Sequence, residues 1–559
     1  MAEKDPCSLP DILDLHKLQA AYAEKRLSPT QLIKQLYPRL QAEEATFITL
    51  AELDDLLDTC RQLEAQPQEE RGSLWGVPFA VKDNVDVAGY PTTAACAAFK
   101  YHPKRSAPAI EALLHEGGIM LGKTNLDQFA TGLVGTRSPY GTPRNAFDDR
   151  FVPGGSSSGS AAVVGSGLAT FAVGTDTAGS GRVPAQFNGC VGIKPTKGMV
   201  TTQGVVPACR SLDCLSCFAR SVEDGATIVH IMQKAGKPED PLWRARPPHL
   251  PKPPPFSPRT STTPAIQHAA NAAANGHATN GHAKPHFRFG IPTPEYLDFS
   301  GPGGPAVAEA AQTLFKEAVQ RMQALGGEMV QVDFSAADKI AGMLYGGAFL
   351  AERYSALRGF LEQSGKARPT PEQLAADPRI ERVLGAILSG ATKWTGADVY
   401  DAQAELVTAT AHTRLELAKV DFFLVPTALN HFTVAEIEGQ EKGGEGAQLT
   451  WAFNGRLGRF TNFVNLMDMC GISVPSGVLE HPLLPTDGSQ AEADVAKRAE
   501  HLSATGDPTP SLPFGVTLLA PAWGDEMLWA HAAKFVRAAG LGCGPEGHGV
   551  LAYKSSGKP

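Results

Sequence analysis

The sequence predicts an α/β protein with a central sheet, and three observations support that fold class. Apolar runs of strand length alternate with helical segments: "SAPAIEALLHEGGIMLGKTN" (residues 106–125) indicates a helix, a Gly-Gly stop and a strand in succession. Hydrophobic residues make up 43% of the 559 residues, which is enough for a large core. Two polar segments interrupt the pattern, and without them the chain is short enough for one large domain.

The individual elements follow in chain order. Ser28 and Pro29 mark the start of a helix in "SPTQLIKQLYPRLQ", as N-cap and first helical residue. The apolar run in "GVPFAVKDN" predicts a strand that ends at Lys82. Further buried strands are predicted in "DFFLVPTAL" and "FGVTLLAPAW", and the closing helix in "GDEMLWAHAAKFVRAAG".

Composition divides the chain into two parts of one domain. Residues 1–246 form the first part and residues 287–545 the second, followed by a tail at 546–559. Between the two parts, residues 247–286 are rich in Pro, Ala and His, so we expect a disordered insertion there. A second polar stretch, residues 484–510, predicts a surface insertion.

The first insertion contains histidines at irregular spacing. A metal-binding tract is one interpretation, and a solvated flexible segment is the other. The irregular spacing favours the flexible segment. These histidines are His249, His268, His277, His282 and His286.

Charge and composition argue against several classes of protein. A net charge of −8 and a pI near 6.0 provide no concentrated basic face for nucleic acid. The N-terminal "MAEKDPCSLPDILDL" has no apolar signal core, and no run approaches the roughly 18 to 20 apolar residues of a membrane span. The nine cysteines are scattered, as in reduced intracellular proteins. We therefore expect a soluble cytoplasmic protein with no nucleic-acid or membrane partner.

Three of the cysteines lie together in "CRSLDCLSC". Cys214 and Cys217 form a C-x-x-C, and Cys209 lies close by. A zinc site would need a second pair with similar spacing, and none follows. We therefore expect buried thiols and no metal site.

A stretch of serines and glycines, residues 153–185, raises the question of which serine is reactive. "GSSSG" matches the nucleophile elbow G-x-S-x-G centred on Ser157, but the polar "RNAFDDRFVPGG" before it does not predict the strand that an elbow needs. "GTDTAGSG" has the G-x-x-x-x-G of a phosphate loop, but Ser180 and Gly181 stand where Lys and Ser or Thr belong. The simplest alternative is that small residues let backbones approach closely.

A third interpretation begins with the chemistry of amide cleavage. A serine nucleophile must lose a proton, and the oxyanion must meet donors that are already in position. "GTDTAGS", which ends at Ser180, follows the strand-like "LATFAV" and could supply backbone N–H donors around this serine. A lysine kept neutral by burial would serve as the base, because desolvation lowers a lysine pKa readily. Lys82, Lys123 and Lys194 each end an apolar run, and these considerations leave all three open.

Four motifs in order are similar to those of the amidase signature family. They are "GVPFAVKDN", "GGSSSGSAA", "GTDTAGSGRVPA" and "GIKPTKG", spread over residues 75–200. The resemblance implies a single large α/β/α domain with a mixed central sheet covered by helices. It also implies a Ser–cis-Ser–Lys triad in which Ser180 is the nucleophile, Ser156 relays the proton and Lys82 is the base. The oxyanion hole would consist of the backbone N–H groups of Thr177, Ala178, Gly179 and Ser180.

Further motifs are similar to the allophanate hydrolases within that family. These are "KTNLDQFATGLVGTRSPYGTPRN", "GSGRVPAQFN" and "GVVPACRSLDC". In "LYGGAFLAERY" the resemblance assigns Tyr345 and Arg353 to the carboxylate of allophanate, a small anion with an amide at its other end. On a straight helix the two would be separated by about 12 Å of rise and about 80° of rotation, too far to share a small ligand. A bend or break at Gly346 and Gly347 would bring them together. The alternative places Arg353 on a solvated helix face and Tyr345 in the core.

The resemblance implies hydrolysis of allophanate at its terminal amide, in urea degradation, to ammonia and N-carboxycarbamate, without cofactor or metal. It also implies a biotin-dependent urea carboxylase as metabolic partner, and a homodimer. Members of this type usually continue into a smaller C-terminal domain, whereas here we expect the amidase part alone. Two alternatives stay open. One is another amidase signature enzyme, such as a general amidase or the ammonia-releasing component of a glutamyl-tRNA amidotransferase; the other is a catalytically silent scaffold.

Overall fold

One mixed sheet of eleven strands runs through the protein. The computed structural model describes residues 13–250, 287–301, 303–362, 368–441, 452–480 and 511–547. The strands are β1 (Phe47–Leu50), β2 (Pro78–Lys82), β3 (Ile119–Thr124), β4 (Phe171–Asp176), β5 (Val191–Lys194), β6 (Cys214–Ala219), β7 (Phe287–Pro292), β8 (Gly327–Val332), β9 (Phe422–Pro426), β10 (Met469–Glu480) and β11 (Ser511–Pro521).

The strand order shows that both halves of the chain build the same sheet. The order is β1-β3-β2-β4-β6-β5-β10-β11-β9-β7-β8. β2 pairs in parallel with β3 and β4, β7 pairs in parallel with β8 and β9, and the other neighbours are antiparallel. At the junction of the halves, Ile193 of β5 lies opposite Ile472 of β10. The expected single α/β domain with a mixed sheet is thereby confirmed.

Helices connect the strands. They are α1 (Leu15–Ala23), α2 (Pro29–Gln41), α3 (Leu53–Glu64), α4 (Pro108–His115), α5 (Ser158–Gly165), α6 (Val183–Phe187), α7 (Val222–Gln233), α8 (Gly304–Ala324), α9 (Ser335–Gly346), α10 (Leu350–Glu362), α11 (Pro371–Ala375), α12 (Arg382–Ala391), α13 (Gly396–Leu417), α14 (Val434–Glu441), α15 (Ala452–Leu457), α16 (Asn462–Leu466), α17 (Asp525–Ala539) and α18 (Gly544–Gly547). Short 3-10 helices lie at Gln68–Glu70, Ala97–Phe99, Gln128–Ala130 and Pro294–Tyr296.

Burial shows that both faces of the sheet are covered. Every residue of β2, β3 and β4 is buried, although successive side chains of a strand point to opposite faces. α5 packs on β2 and β4, α7 on β5 and β6, and α17 on β10 and β11. The two edge strands, β1 and β8, are only partly buried. Continuous apolar runs in the sequence therefore belong to the middle of the sheet.

The parallel pairing of β2 with β4 places two polar residues at one edge of the sheet. Val81 lies opposite Val173, so the carboxyl ends of both strands meet there. Lys82 is the last residue of β2, and Asp176 is the last residue of β4. Residues 177–182 then form a loop that leads into α6.

Several predicted elements agree with the structure. α2 begins at Pro29, and the Ser28 hydroxyl caps it by accepting the N–H of Gln31. The strand ending at Lys82, both later strands and the closing helix are confirmed as β2, β9, β11 and α17. The hydrophobic pattern did not predict β10. Pro475 and Gly477 interrupt the apolar run of this strand, at the point where its pairing with β11 is irregular.

Some predictions concern residues outside the described ranges. These include most of the first insertion (251–286), all of the second (484–510) and the tail beyond residue 547. His268, His277, His282 and His286 lie there too, whereas His249 is described and exposed. The domain boundaries and both insertions stay predictions.

The cysteines within the described ranges are all buried free thiols. Cys214 and Cys217 belong to β6 and lie three positions apart, so their side chains point to opposite faces of the sheet. Among described residues, no group of three or more His, Cys, Asp or Glu side chains is arranged to hold a metal ion. No helix in the described part of the chain combines the length and apolar character needed to cross a bilayer.

Candidate active site

A buried lysine, Lys82, stands at the carboxyl end of β2. Its side chain is fully buried. The Lys82 Nζ donates one hydrogen bond to Ser156 Oγ at 2.8 Å and another to Thr175 Oγ1 at 2.7 Å. Two hydroxyl groups from different segments therefore converge on one amine.

The surroundings of Lys82 determine when it holds a proton. Burial lowers the pKa of Lys82 to about 7, and the positive charge of Arg353 acts in the same direction. The carboxylates of Asp127, Asp176 and Asp213 oppose the effect by favouring the charged amine. A lysine with this pKa is about half neutral at pH 7, and its neutral form is able to accept a proton.

Ser156 lies between Lys82 and the start of α5. It is fully buried and follows a cis Gly155–Ser156 peptide bond. The Ser156 carbonyl accepts the N–H of Asp127 at 3.1 Å. A Cβ on Gly155 would collide with the Asp127 carboxylate, so glycine is needed there. The Ser156 hydroxyl is thus held beside the amine.

The loop after β4 carries Ser180, whose side chain is 3% exposed. Within the described ranges, no acceptor is bound by the N–H groups of Thr177, Ala178 or Ser180. The N–H of Gly179, in contrast, donates to Asp176 Oδ1 at 3.0 Å. Of the four expected oxyanion donors, three are therefore available and the fourth is already engaged.

Asp176, the last residue of β4, holds the conformation of this loop through hydrogen bonds. Its carboxylate accepts the N–H groups of Gly179 and Gly181 and forms a two-point ion pair with Arg182, at 2.9 and 3.0 Å. Burial raises the pKa of Asp176, but the Arg182 guanidinium, the charge of Lys194 and the Gly181 N–H together hold that pKa below its usual value. Gly179 has φ of 126°, and a Cβ on it would collide with Thr461.

Tyr345 and Arg353 meet across a break between two helices. α9 ends at Gly346, and α10 begins at Leu350. The Arg353 Nη2 donates to the Tyr345 hydroxyl at 3.2 Å, and the guanidinium carbon lies 5.2 Å from the centre of the tyrosine ring. The separation expected on a straight helix does not apply, because the chain turns between the two residues.

Arg353 is a buried cation that forms no ion pair with the acidic residues of the described ranges. Its side chain is 1% exposed. The Nη1 donates to Thr131 Oγ1 at 2.7 Å and to the Ala130 carbonyl at 3.4 Å. Burial opposes the charged form, yet Tyr345 and other neighbours raise the pKa of Arg353, so it stays protonated. A buried guanidinium whose partners are neutral is suited to bind an anion.

The G-x-S-x-G motif does not form a nucleophile elbow. Residues 125–157, all of them described, contain no strand between β3 and α5, so Ser157 lacks the strand that an elbow requires. The Ser157 hydroxyl donates to the Thr175 carbonyl at 3.1 Å. The phosphate-loop interpretation also fails, because the Asp176 carboxylate occupies the N–H groups of Gly179 and Gly181.

The other two candidate lysines have different partners. Lys123 forms a fully buried ion pair with Asp83 at 3.2 Å. Lys194 donates to the backbone carbonyl of Met469 at 2.6 Å. Of the three lysines that the residues alone left open, Lys82 is the one bonded to a serine.

Sequence reasoning missed several polar residues that support the site. Thr175 accepts from Lys82, and Thr131 accepts from Arg353. Asp213 accepts the Thr177 hydroxyl at 2.5 Å, and burial raises the pKa of Asp213 to about 6. A single Thr or Asp carries no periodic signal, so the presence of these residues inside the quoted motifs was the only indication.

A family model and several known proteins are similar to this chain, some of them over most of its length. A family model described as Amidase matches residues 31–529. The urea amidolyase of Saccharomyces cerevisiae is 36% identical over 470 residues, which cover 84% of this chain and 22% of that protein. A glutamyl-tRNA(Gln) amidotransferase component of Symbiobacterium thermophilum is 41% identical over 228 residues, or 40% of this chain and 46% of that protein.

A solved structure extends the similarity to the fold. The allophanate hydrolase of Kluyveromyces lactis aligns with a TM-score of 0.71 and 33% identity, covering 94% of this chain and 73% of that chain. The chain spans about a fifth of the length of the urea amidolyases that it matches.

Proposed function

The chain belongs to the amidase family, and within that family we propose that it is an allophanate hydrolase. One observation carries the choice of substrate: Arg353 is a buried guanidinium with no ion pair to any acid in the described ranges. Its charge also lowers the pKa of Lys82, so the two groups interact electrostatically. A small amide with a carboxylate at its other end would supply the missing anion. The similarity to an allophanate hydrolase structure supports this choice.

Ser180 is the proposed nucleophile, and it attacks the terminal amide carbonyl of allophanate. Ser156 takes the Ser180 proton while passing its own to the neutral amine of Lys82. The hydrogen bond between Ser156 and Lys82 provides the second half of this route. Because burial lowers the pKa of Lys82 to about 7, the amine accepts the proton near neutral pH.

The oxyanion would be stabilised by backbone N–H groups of the loop after β4. Those of Thr177, Ala178 and Ser180 have no acceptor among the described residues, so they are able to donate hydrogen bonds to the oxyanion. Gly179 contributes its backbone conformation instead, because Asp176 already binds its N–H.

Departure of ammonia completes the first half of the reaction. The Lys82 ammonium returns a proton through Ser156 to the leaving nitrogen, and the acyl-enzyme remains on Ser180. Water then attacks the acyl group through the same relay and releases N-carboxycarbamate, which goes on to CO2. None of these steps uses a metal or a cofactor.

Ammonia release from four amides tests the proposal. Purified protein is incubated with allophanate, malonamide, acetamide or glutamine, and ammonia is measured. We expect the highest kcat/KM for allophanate. Release mainly from a neutral amide would indicate a general amidase, glutamine as best substrate would indicate an amidotransferase component, and no release at all would indicate a silent scaffold.

The reaction has a place in urea degradation. A biotin-dependent urea carboxylase would supply the allophanate, and similarity to urea amidolyases supports this metabolic link. Buried free thiols at every described cysteine are consistent with a reducing compartment, so we propose the cytoplasm.

A homodimer is the proposed assembly, and α13 offers a surface for it. The three most exposed large apolar side chains in the described ranges all lie on this helix: Tyr400 at 73%, Val407 at 70% and Leu415 at 65%. Ala404 and Ala411 are exposed between them. Spacings of four, three, four and four residues place all five on one helix face. A continuous apolar face of this kind marks an interaction surface.

Charge on α13 favours a second copy of the chain as its partner. A two-fold axis through Val407 would pair the helix with itself in antiparallel orientation. Exposed Asp401 precedes Val407, and exposed Arg414 follows it. In this pairing, the acidic end of one helix faces the basic end of the other.

A further inference from the structure

Residues 207–213, which we call the bridging loop, contact both parts of the proposed site. At its end the Asp213 carboxylate accepts the Thr177 hydroxyl at 2.5 Å, so it holds the loop that carries the oxyanion donors. Asp213 also accepts the N–H groups of Ala208 and Cys209 at 2.9 and 3.1 Å. The carboxylate therefore joins the two ends of the bridging loop and also connects this loop to Thr177.

The outer turn of the bridging loop contacts the helix that carries Arg353. Ser211 donates its N–H to Glu352 Oε1 and its hydroxyl to Glu352 Oε2, both at 2.7 Å. Glu352 precedes Arg353 in the first turn of α10. This pair fastens α10 on the C-terminal side of the break that separates it from α9.

Internal hydrogen bonds make the bridging loop stiff. The N–H groups of Leu212 and Asp213 both donate to the Cys209 carbonyl at 2.9 Å. Asn465 Nδ2 donates to the Leu212 carbonyl at 3.1 Å and to the Asp176 carbonyl at 2.8 Å. Side chains of Cys209, Leu212 and Asp213 are buried, whereas Ser211 is exposed. A stiff segment that is bonded at both ends fixes the distance between Thr177 at one end and Glu352 at the other.

We propose that the bridging loop is a positioning element that fixes Arg353 relative to the oxyanion donors. It thereby selects amides whose carboxylate lies at the right distance from the scissile carbonyl. Ser211, Glu352 and Asp213 act as positioning residues, through Arg353 and Thr177. The inference rests on the proposed function, because it concerns how the anionic end of the substrate is placed. Small displacements matter at such a site, since an error of about 1 Å costs about 100-fold in rate.

The two ends of the bridging loop should have separable kinetic effects. Loosening the Ser211–Glu352 end displaces Arg353 and affects only substrates with a carboxylate. Loosening the Asp213 end releases Thr177 and affects every amide, because each of them needs the oxyanion donors. A general loss of stability would produce neither pattern.

The outer end is tested by three variants of α10, with allophanate and the neutral malonamide as substrates. Glu352→Ala removes both hydrogen bonds, and we expect KM for allophanate to rise about three- to tenfold with malonamide kinetics unchanged. Glu352→Gln retains an acceptor for the Ser211 N–H and a donor for its hydroxyl, so it should restore KM. Arg358→Ala breaks an exposed ion pair with Glu362 on the same helix, away from the bridging loop, and serves as the matched control.

The sign of the change in KM separates positioning from simple electrostatics. Glu352 carries the same charge as the substrate, so removing it would lower KM if charge alone mattered. A lower KM in Glu352→Ala, no difference from Arg358→Ala, or an equal rise for malonamide would each overturn the proposal.

Asp213→Asn tests the inner end. It keeps the shape of the side chain but cannot accept all three hydrogen bonds, so we expect kcat to fall about tenfold for both substrates. A fall confined to allophanate, or no fall, would contradict the inference. Wild-type protein that releases no ammonia from allophanate would end the proposed function and this inference together, whereas failure in the variants alone would end only the inference.

Discussion

Lys82 Nζ lies 2.8 Å from Ser156 Oγ, and this contact joins residues 74 positions apart in the chain. It forms because Lys82 ends β2 while Ser156 lies just before α5, a helix that packs on β2 and β4. The same packing buries Lys82 completely. The packing therefore brings together the two groups of the proposed proton route, and the burial that comes with it lowers the pKa of Lys82.

The pH dependence of the reaction should follow Lys82. Burial lowers the pKa of Lys82 to about 7, and only the neutral amine accepts a proton. We expect kcat/KM for allophanate to rise with pH and to level off above about 7. Kinetic assays at one-unit intervals from pH 5 to pH 9 measure this, and a profile that is flat below pH 7 would contradict it.

Thr175→Val should move that profile to lower pH. The Thr175 hydroxyl accepts a hydrogen bond from Lys82 and so favours the protonated amine. Its loss lowers the pKa further, and the amine is neutral at a lower pH. Thr175→Ser keeps the hydroxyl and is the control, with a profile like that of the wild type. An unchanged midpoint in Thr175→Val would show that this hydrogen bond does not tune the lysine.

Ser180→Ala should abolish turnover, with a loss of at least about a thousandfold in kcat. Ser157→Ala is the matched control in the same segment, because Ser157 bonds to the Thr175 backbone and has no proposed chemical role. We expect its kcat within about tenfold of the wild type. Ammonia release measures both, and activity retained in Ser180→Ala would refute the choice of nucleophile.

Arg353→Gln should raise KM for allophanate far more than KM for malonamide. A charge-assisted hydrogen bond contributes about 1.5–3 kcal/mol, which corresponds to roughly a 10- to 150-fold change in KM. Gln is polar but uncharged. It removes the charge that binds the carboxylate and keeps an N–H donor for Tyr345 or Thr131. Equal effects on both substrates would reject a role for Arg353 in binding the carboxylate.

Val407→Asp should convert a dimer to a monomer. It places a charge at the centre of the exposed apolar face of α13, opposite its own copy in the proposed pairing. Leu242→Asp introduces the same charge at an exposed apolar residue elsewhere and is the control. Size-exclusion chromatography with light scattering measures the mass. A monomeric wild type, or a dimeric Val407→Asp, would remove α13 as the interface.

Local patterns predicted much of the fold. The cap at Ser28, the strand ending at Lys82 and the closing helix depend on neighbouring residues, so they were found. β10 was missed, because Pro475 and Gly477 are typical of a turn. The pairing of β10 with β5 and β11, which keeps this segment extended, is a tertiary contact. Gly346 and Gly347 predict a break between α9 and α10, but the hydrogen bond between Arg353 and Tyr345 depends on how the two helices pack after that break.

By itself the sequence determined the fold class, the similarity to the amidase family and the serines worth testing, because each of these depends on contiguous motifs. Only the tertiary structure decided which lysine bonds to a serine, that the Gly179 N–H is already engaged, and that the buried Arg353 donates its hydrogen bonds to neutral groups. Those properties arise between segments far apart in the chain: Arg353 and Thr131 are separated by 222 positions and meet at 2.7 Å. Burial and charge compensation are sums over all neighbours in space, and a linear pattern does not contain that sum.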